Sequence, residues 1–104
     1  SGVFEYSDVI EIEVGTPTKF SLEQNYPNPF NPITTLPYSI KEKAVVTLKV
    51  FDILGKEVST LVNEEKEAGY YNLKFNALSL SSGIYFYSLN AGDFVSTKKM
   101  ILLK

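Results

Sequence analysis

An all-β chain folded as a sandwich of about seven strands is what this sequence predicts, and three observations predict it. Apolar and polar residues alternate with a period of two in several segments, as strands with one buried face require. Turn residues interrupt those segments at spacings typical of a sandwich. No segment holds a helical period; Glu64 to Ala68 has room for one helical turn and no more.

Residues 8–14 place Ile10, Ile12 and Val14 on one face and Glu11 and Glu13 on the other, the pattern of a half-buried strand. Gly15-Thr16-Pro17-Thr18 breaks it. We read residues 1–17 as the closing strand of an upstream domain plus a linker, and residues 18–104 as a domain of their own. The start at Ser1-Gly2 reads as cut from something longer. A strand parted from its own sheet carries unpaired backbone and an apolar face, so residues 8–14 are expected to pair with this domain's edge or, by self-association, with a neighbouring molecule.

Phe20 to Gln24 reads as a brief strand. The stretch Asn25 to Pro32 then packs three prolines and three asparagines into eight residues. Each proline fixes φ and lacks a donor, and each biases its predecessor toward extended geometry. The asparagines start turns. A stiff loop results, and its rings Tyr26 and Phe30 are expected to cap the core. Thr35 to Ile40 is the next strand, with Pro37 pointing to an edge or a bulge. Ala44 to Asp52 turns Val46, Leu48 and Val50 to one face. Asp52-Ile53-Leu54-Gly55 is a tight hairpin turn with Gly55 at positive φ. Lys56 to Val62 returns, and Asn63 to Gly69 is read as an acidic loop. Tyr71, Leu73 and Phe75 share the inner face of the following strand. Leu78 to Gly83 is a Ser-rich connection, Ile84 to Ala91 a strongly β-prone strand, Gly92-Asp93 a turn, and Phe94 to Leu103 the last strand.

The 104 residues suit one modest core, and 44% hydrophobic with 21% charged residues is ordinary globular composition. All ten basic residues are Lys. Without Arg, the usual bidentate reader of phosphates and base edges, and with a net charge of −2, a nucleic-acid partner is not expected. With no Cys and no His, thiol chemistry, disulfides, imidazole catalysis and the usual zinc sites are excluded. No apolar run approaches the roughly 20 residues that span a bilayer as a helix.

Catalytic candidates are sparse. Asp8, Asp52, Asp93 and nine Glu fall mostly in loops or on outer faces, with no sign of the converging pair a glycosidase needs. Ser79, Ser81 and Ser82 have no His to activate them. Glu64, Glu65 and Glu67 read as a solvated acidic run rather than a Ca²⁺ site. No phosphate-cradling glycine loop is present, so no cofactor is expected and no enzyme is read here. Tyr70, Tyr85 and Tyr87 would make a sugar platform if their rings faced outward; period-two aromatics are more often core. The ending Lys98-Lys99-Met100-Ile101-Leu102-Leu103-Lys104 joins a basic pair to an apolar strand.

Several motifs fall in order: Phe20-Ser-Leu-Glu-Gln-Asn-Tyr-Pro-Asn-Pro-Phe-Asn-Pro32, Val50-Phe-Asp-Ile-Leu-Gly-Lys56, Ala68-Gly69, Ser82-Gly-Ile-Tyr-Phe-Tyr87, Ala91-Gly92 and Lys98 to Lys104. Over residues 18–104 this closely resembles the C-terminal sorting domain of the type IX secretion system; similar repeats occur as flagellar-hook-cap-like immunoglobulin domains. The resemblance implies an immunoglobulin-like antiparallel sandwich that addresses an exported cargo protein for passage through the outer membrane. The implied partners are an outer-membrane secretion translocon and a sortase-like surface peptidase. The implied destinations are the cell surface or the medium, with the periplasm in transit. Recognition would fall on Gly92, Lys98, Lys99, Met100, Ile101, Leu102, Leu103 and Lys104, and cleavage near Gly15 to Lys19. The other reading is an accessory structural or carbohydrate-binding module.

Overall fold

Alternation along the chain decides which residues turn inward, and the inward sets of two sheets meet to make the core. The computed structural model describes residues 16–104. The strand expected over residues 8–14, and its expected pairing with this domain's edge or a neighbouring molecule, lie outside the described residues. Seven strands follow among those described: β1 (Ser21–Leu22), β2 (Ile33–Ile40), β3 (Ala44–Phe51), β4 (Glu57–Lys66), β5 (Gly69–Asn76), β6 (Gly83–Ala91) and β7 (Phe94–Leu102). They form two antiparallel sheets, ordered β1-β2-β5 and β4-β3-β6-β7. The predicted all-β sandwich is therefore the observed architecture.

Leu36, Tyr38 and Ile40 face inward from β2, Val46, Leu48 and Val50 from β3, Tyr85, Tyr87 and Leu89 from β6, and Met100 and Leu102 from β7. Tyr71, Leu73 and Phe75 of β5 complete the layer, with Tyr38 stacked on Tyr71 at 5.1 Å and Phe75 tilted against Phe30 at 6.3 Å. At about 1.5–3 kcal/mol per large side chain removed from water, this single layer of contacts is the main favourable term in folding.

Three expectations need correction. Pro37 lies in a central strand, since β2 is flanked by both β1 and β5. Its carbonyl accepts Glu23 N–H at 2.9 Å, so its donor-less nitrogen faces Glu23 O just past the end of β1, and that oxygen accepts the Tyr87 hydroxyl at 2.7 Å instead. The missing donor thus falls where β1 ends. Residues 63–66, expected in a loop, continue β4 opposite Ala44 to Thr47, and only Glu67 and Ala68 remain as the turn. Tyr26 does not cap the core; it is exposed, whereas Phe30 is buried.

The turns follow their residues. Asp52 Oδ1 accepts Leu54 N–H and Lys56 N–H, each at 2.9 Å, and Gly55 sits at φ 86°. The proline loop is closed at its base by paired bonds between Tyr26 and Thr35 at 3.0 and 2.9 Å. Inside it the buried Asn25 amide donates to Thr34 Oγ1 at 3.0 Å and to Pro27 O at 3.2 Å, and Thr34 Oγ1 donates to Pro27 O at 2.9 Å. The X-Pro bonds at Pro27, Pro29 and Pro32 are cis.

Candidate functional site

The last strand is an edge strand, and its two sides have different fates. Every even-numbered residue from Phe94 to Leu102 is turned toward β6, in an uninterrupted register from Ala91↔Phe94 to Gly83↔Leu102. The odd-numbered residues aim their N–H and C=O away from the sheet. Over the distal half of β7 those groups are met by Gln24 and the proline loop that follows it. Gln24 Nε2 donates to Lys99 O at 2.7 Å. Ile101 N–H donates to Asn28 Oδ1 at 2.9 Å. Phe30 N–H donates to Ile101 O, and Leu103 N–H donates to Phe30 O, both at 2.9 Å. The Phe30 ring, 2% exposed, anchors this arrangement in the core.

Tyr87 fastens the approach to that loop. Its ring is fully buried opposite Lys98, and its hydroxyl accepts Asn25 N–H and donates to Glu23 O, both at 2.7 Å. Burial pushes its phenol up to about 12, the Asn25 N–H partly opposing the shift.

The eight recognition candidates separate into distinct environments. Gly92 makes the β6–β7 turn at φ 60°, a conformation that costs glycine little. Met100 and Leu102 are fully buried, so the folded surface does not offer their side chains. Ile101 is half-buried on the outer face and Leu103 is exposed. Lys104 Nζ donates to Leu78 O at 2.6 Å, and its backbone N–H donates to Ser82 Oγ at 3.0 Å. Lys98 and Lys99 are neighbours in sequence and opposites in space. Lys98 shares the inner parity of Met100 at the seam between the sheets and is half-buried; Lys99 stands exposed on the outer face beside Phe86. Neither is ion-paired among the described residues.

Other candidates are used structurally. Tyr85 and Tyr87 belong to the core, leaving Tyr70 exposed without the row that a sugar platform needs. The acidic run is partly neutralised: Lys43 Nζ reaches Glu65 at 3.9 Å and Glu67 at 3.7 Å, and Lys66 reaches Glu64 at 3.0 Å. Asp52 is committed to its turn. An open groove of about 800 Å³ at the linker end is lined by Phe20, Lys41, Val45, Gly92 and Phe94 among others. Gln24, Asn28 and Phe30 were not singled out as partners of the last strand by sequence reasoning. Asn28 and Phe30 stood out only as members of a stiff, amide-rich loop and Gln24 as the end of a brief strand, with no signal for the strand they meet.

Among solved structures, dimeric latent PorU from Porphyromonas gingivalis is similar, with a TM-score of 0.62 and 16% identity. The match covers 93% of this chain and 10% of that one, and at such identity it shows the fold alone. The chain thus corresponds to about a tenth of that neighbour's length. No curated protein matches. A family model described as a secretion system C-terminal sorting domain matches residues 24–103, spanning the proline loop, both sheets and the terminal strand. The chain belongs to that family, the type IX sorting domains that mark proteins for export to the cell surface or the medium.

Proposed function

We propose that residues 18–104 are a non-catalytic address label for a cargo protein preceding them, joined to it through residues 1–17. The family match over residues 24–103 carries this reading. The outer-membrane translocon receives the folded label through its last strand and the Gly92 turn. A sortase-like surface peptidase then cuts near Gly15 to Lys19 and releases the cargo or attaches it to the surface. Thr16, Thr18 and Lys19 are exposed there, while Pro17 is buried and the Lys19 carbonyl accepts Ser39 Oγ–H at 3.0 Å, so a peptidase would reach the segment from its exposed side.

The chemistry of the described residues supports a label over an enzyme. Asp52 is held in a turn and the Glu run in ion pairs, so neither supplies a free acid–base couple. The test is to place the 104-residue chain at the C-terminus of a periplasmic reporter in a bacterium with a type IX system. The reporter is expected outside the cell. Retention in the periplasm would overturn the reading.

A further inference from the structure

The outward edge of β7 is divided. Beyond Lys99 O its groups are paired with Gln24, Asn28 and Phe30. Before that point, the N–H and C=O of Val95 and Thr97 and the N–H of Lys99 have the same outward direction, and no described residue pairs with them. An alternating row of donors and acceptors on a straight strand is satisfied in full only by another extended backbone. Lys98 and Lys99 project to opposite faces of the same strand, so a body resting on either face reaches only one of them. A segment lying along the edge can reach both. Two lysines without an acidic partner among the described residues call for carboxylates on whatever sits there.

We propose that Val95 to Lys99 is a strand-addition site for an extended, carboxylate-bearing segment of a receptor protein, with the proline loop as the stop that fixes its register. The inference rests on the address-label reading and adds where on the last strand the label is read. The incoming strand continues the four-stranded sheet beyond β7 and ends against Gln24 and Asn28, which already hold Lys99 O and Ile101 N–H. Backbone bonds give the affinity, and the two lysines give the selectivity.

Thr97→Pro tests this, because Thr97 points its N–H outward and its loss leaves the backbone ladder to β6 intact. Thr97→Val, which also lacks the hydroxyl that donates to Ser88 Oγ at 3.1 Å, is the control and is expected to export as the parent does. The same reporter fusion is compared with Thr97→Pro, Lys98→Glu and Lys99→Glu, and thermal melts of the purified chains establish that each is folded. Thr97→Pro and the two lysine variants, each folded, are expected to reduce extracellular reporter at least tenfold. Parental export of folded Thr97→Pro, or a loss confined to one of the two lysine variants, would overturn the edge site while leaving the label reading in place. If Thr97→Pro does not fold, the two lysine variants decide. A dimer of the chain in solution that either lysine reversal dissolves would assign the edge to a second copy and overturn the receptor proposal. A parent fusion that stays in the periplasm removes the label reading and this inference with it.

Discussion

Strands β4 and β7 close the same sheet on its two sides, and they meet the hazard of an open edge by different means. Along β4 the ladder to β3 slips twice, between Leu48 and Lys49 and between Val50 and Phe51, leaving Leu61 and Val58 unmatched. Such bulges bend an edge away from straight pairing. Charges line it as well: Glu57 meets Lys49 at 3.3 Å, and Glu64 meets Lys66 at 3.0 Å. Strand β7 has no slip against β6, exposes Val95, and carries two lysines without an acidic partner among the described residues. Its outward backbone groups are hydrogen-bonded instead by Gln24 and the proline loop, and among the described residues only over its distal half. Strand β1 also packs against it, and Phe20 stacks on Phe94 at 5.8 Å. Edges that must stay solitary are commonly bent and charged. A straight edge left half covered is the one fit to be used.

Removing the cover is the strongest way to break this contrast. Phe30→Ala empties a buried ring site and unseats the loop, and a loss of about 3–5 kcal/mol is expected. For a domain of this size that lowers Tm by roughly 12 °C or more, readable by calorimetry. Deleting Met100 to Lys104 would be harsher still, since Met100 and Leu102 are core. Lost export after such a deletion would report unfolding as readily as lost recognition.

Tyr87→Phe tests the fastening upstream of the loop. It leaves Asn25 N–H and Glu23 O without their shared partner, and about 1–3 kcal/mol should be lost in denaturant melts. The same phenol sets a pH signature. Its folded value of about 12 lies above the ordinary tyrosine value near 10. Its contribution is complete below the lower value. As pH rises between the two, the unfolded chain gives up its proton first, so stability falls across that window. Parent melts at successive pH values should show this fall, and Tyr87→Phe should flatten it.

Asn28→Ala takes one side-chain acceptor from the cover, and a loss of about 0.5–1.5 kcal/mol follows. The sharper readout is hydrogen exchange. Ile101 N–H should become as fast as Thr97 N–H, while Leu103 N–H, held by Phe30, stays slow. On the other edge, Glu57→Gln should leave Tm within scatter. Hydrogen bonds from Thr60 and Lys49 hold the Glu57 carboxyl below the usual range, but water screens that exposed pair.

The strands were legible wherever one face is buried, because burial writes itself as alternation. Val46, Leu48 and Val50 show it, as do Tyr85, Tyr87 and Leu89. Residues 63–66 were not legible, since an edge strand beyond the core carries charge on both faces and reads as a loop. The bulges at Val58 and Leu61 also break the alternation that would have carried β4 onward. Pro37 misled because its missing donor falls where β1 stops, and the length of a neighbouring strand is a tertiary fact. At the site, the motif order named the last strand, and parity alone would have separated Lys98 from Lys99. Its pairing with Asn28 and Phe30 joins opposite ends of the domain, and no local pattern records that.

The pairing of Phe30 with Ile101 and Leu103 also dictates when the domain is able to close. Contacts between residues so distant along the chain form late, after much loop entropy has been lost. A polypeptide threaded amino-end first presents the proline segment early and must hold it open until the final strand is delivered. Until then Phe30 has no Leu102 to bridge, and the domain stays unlatched.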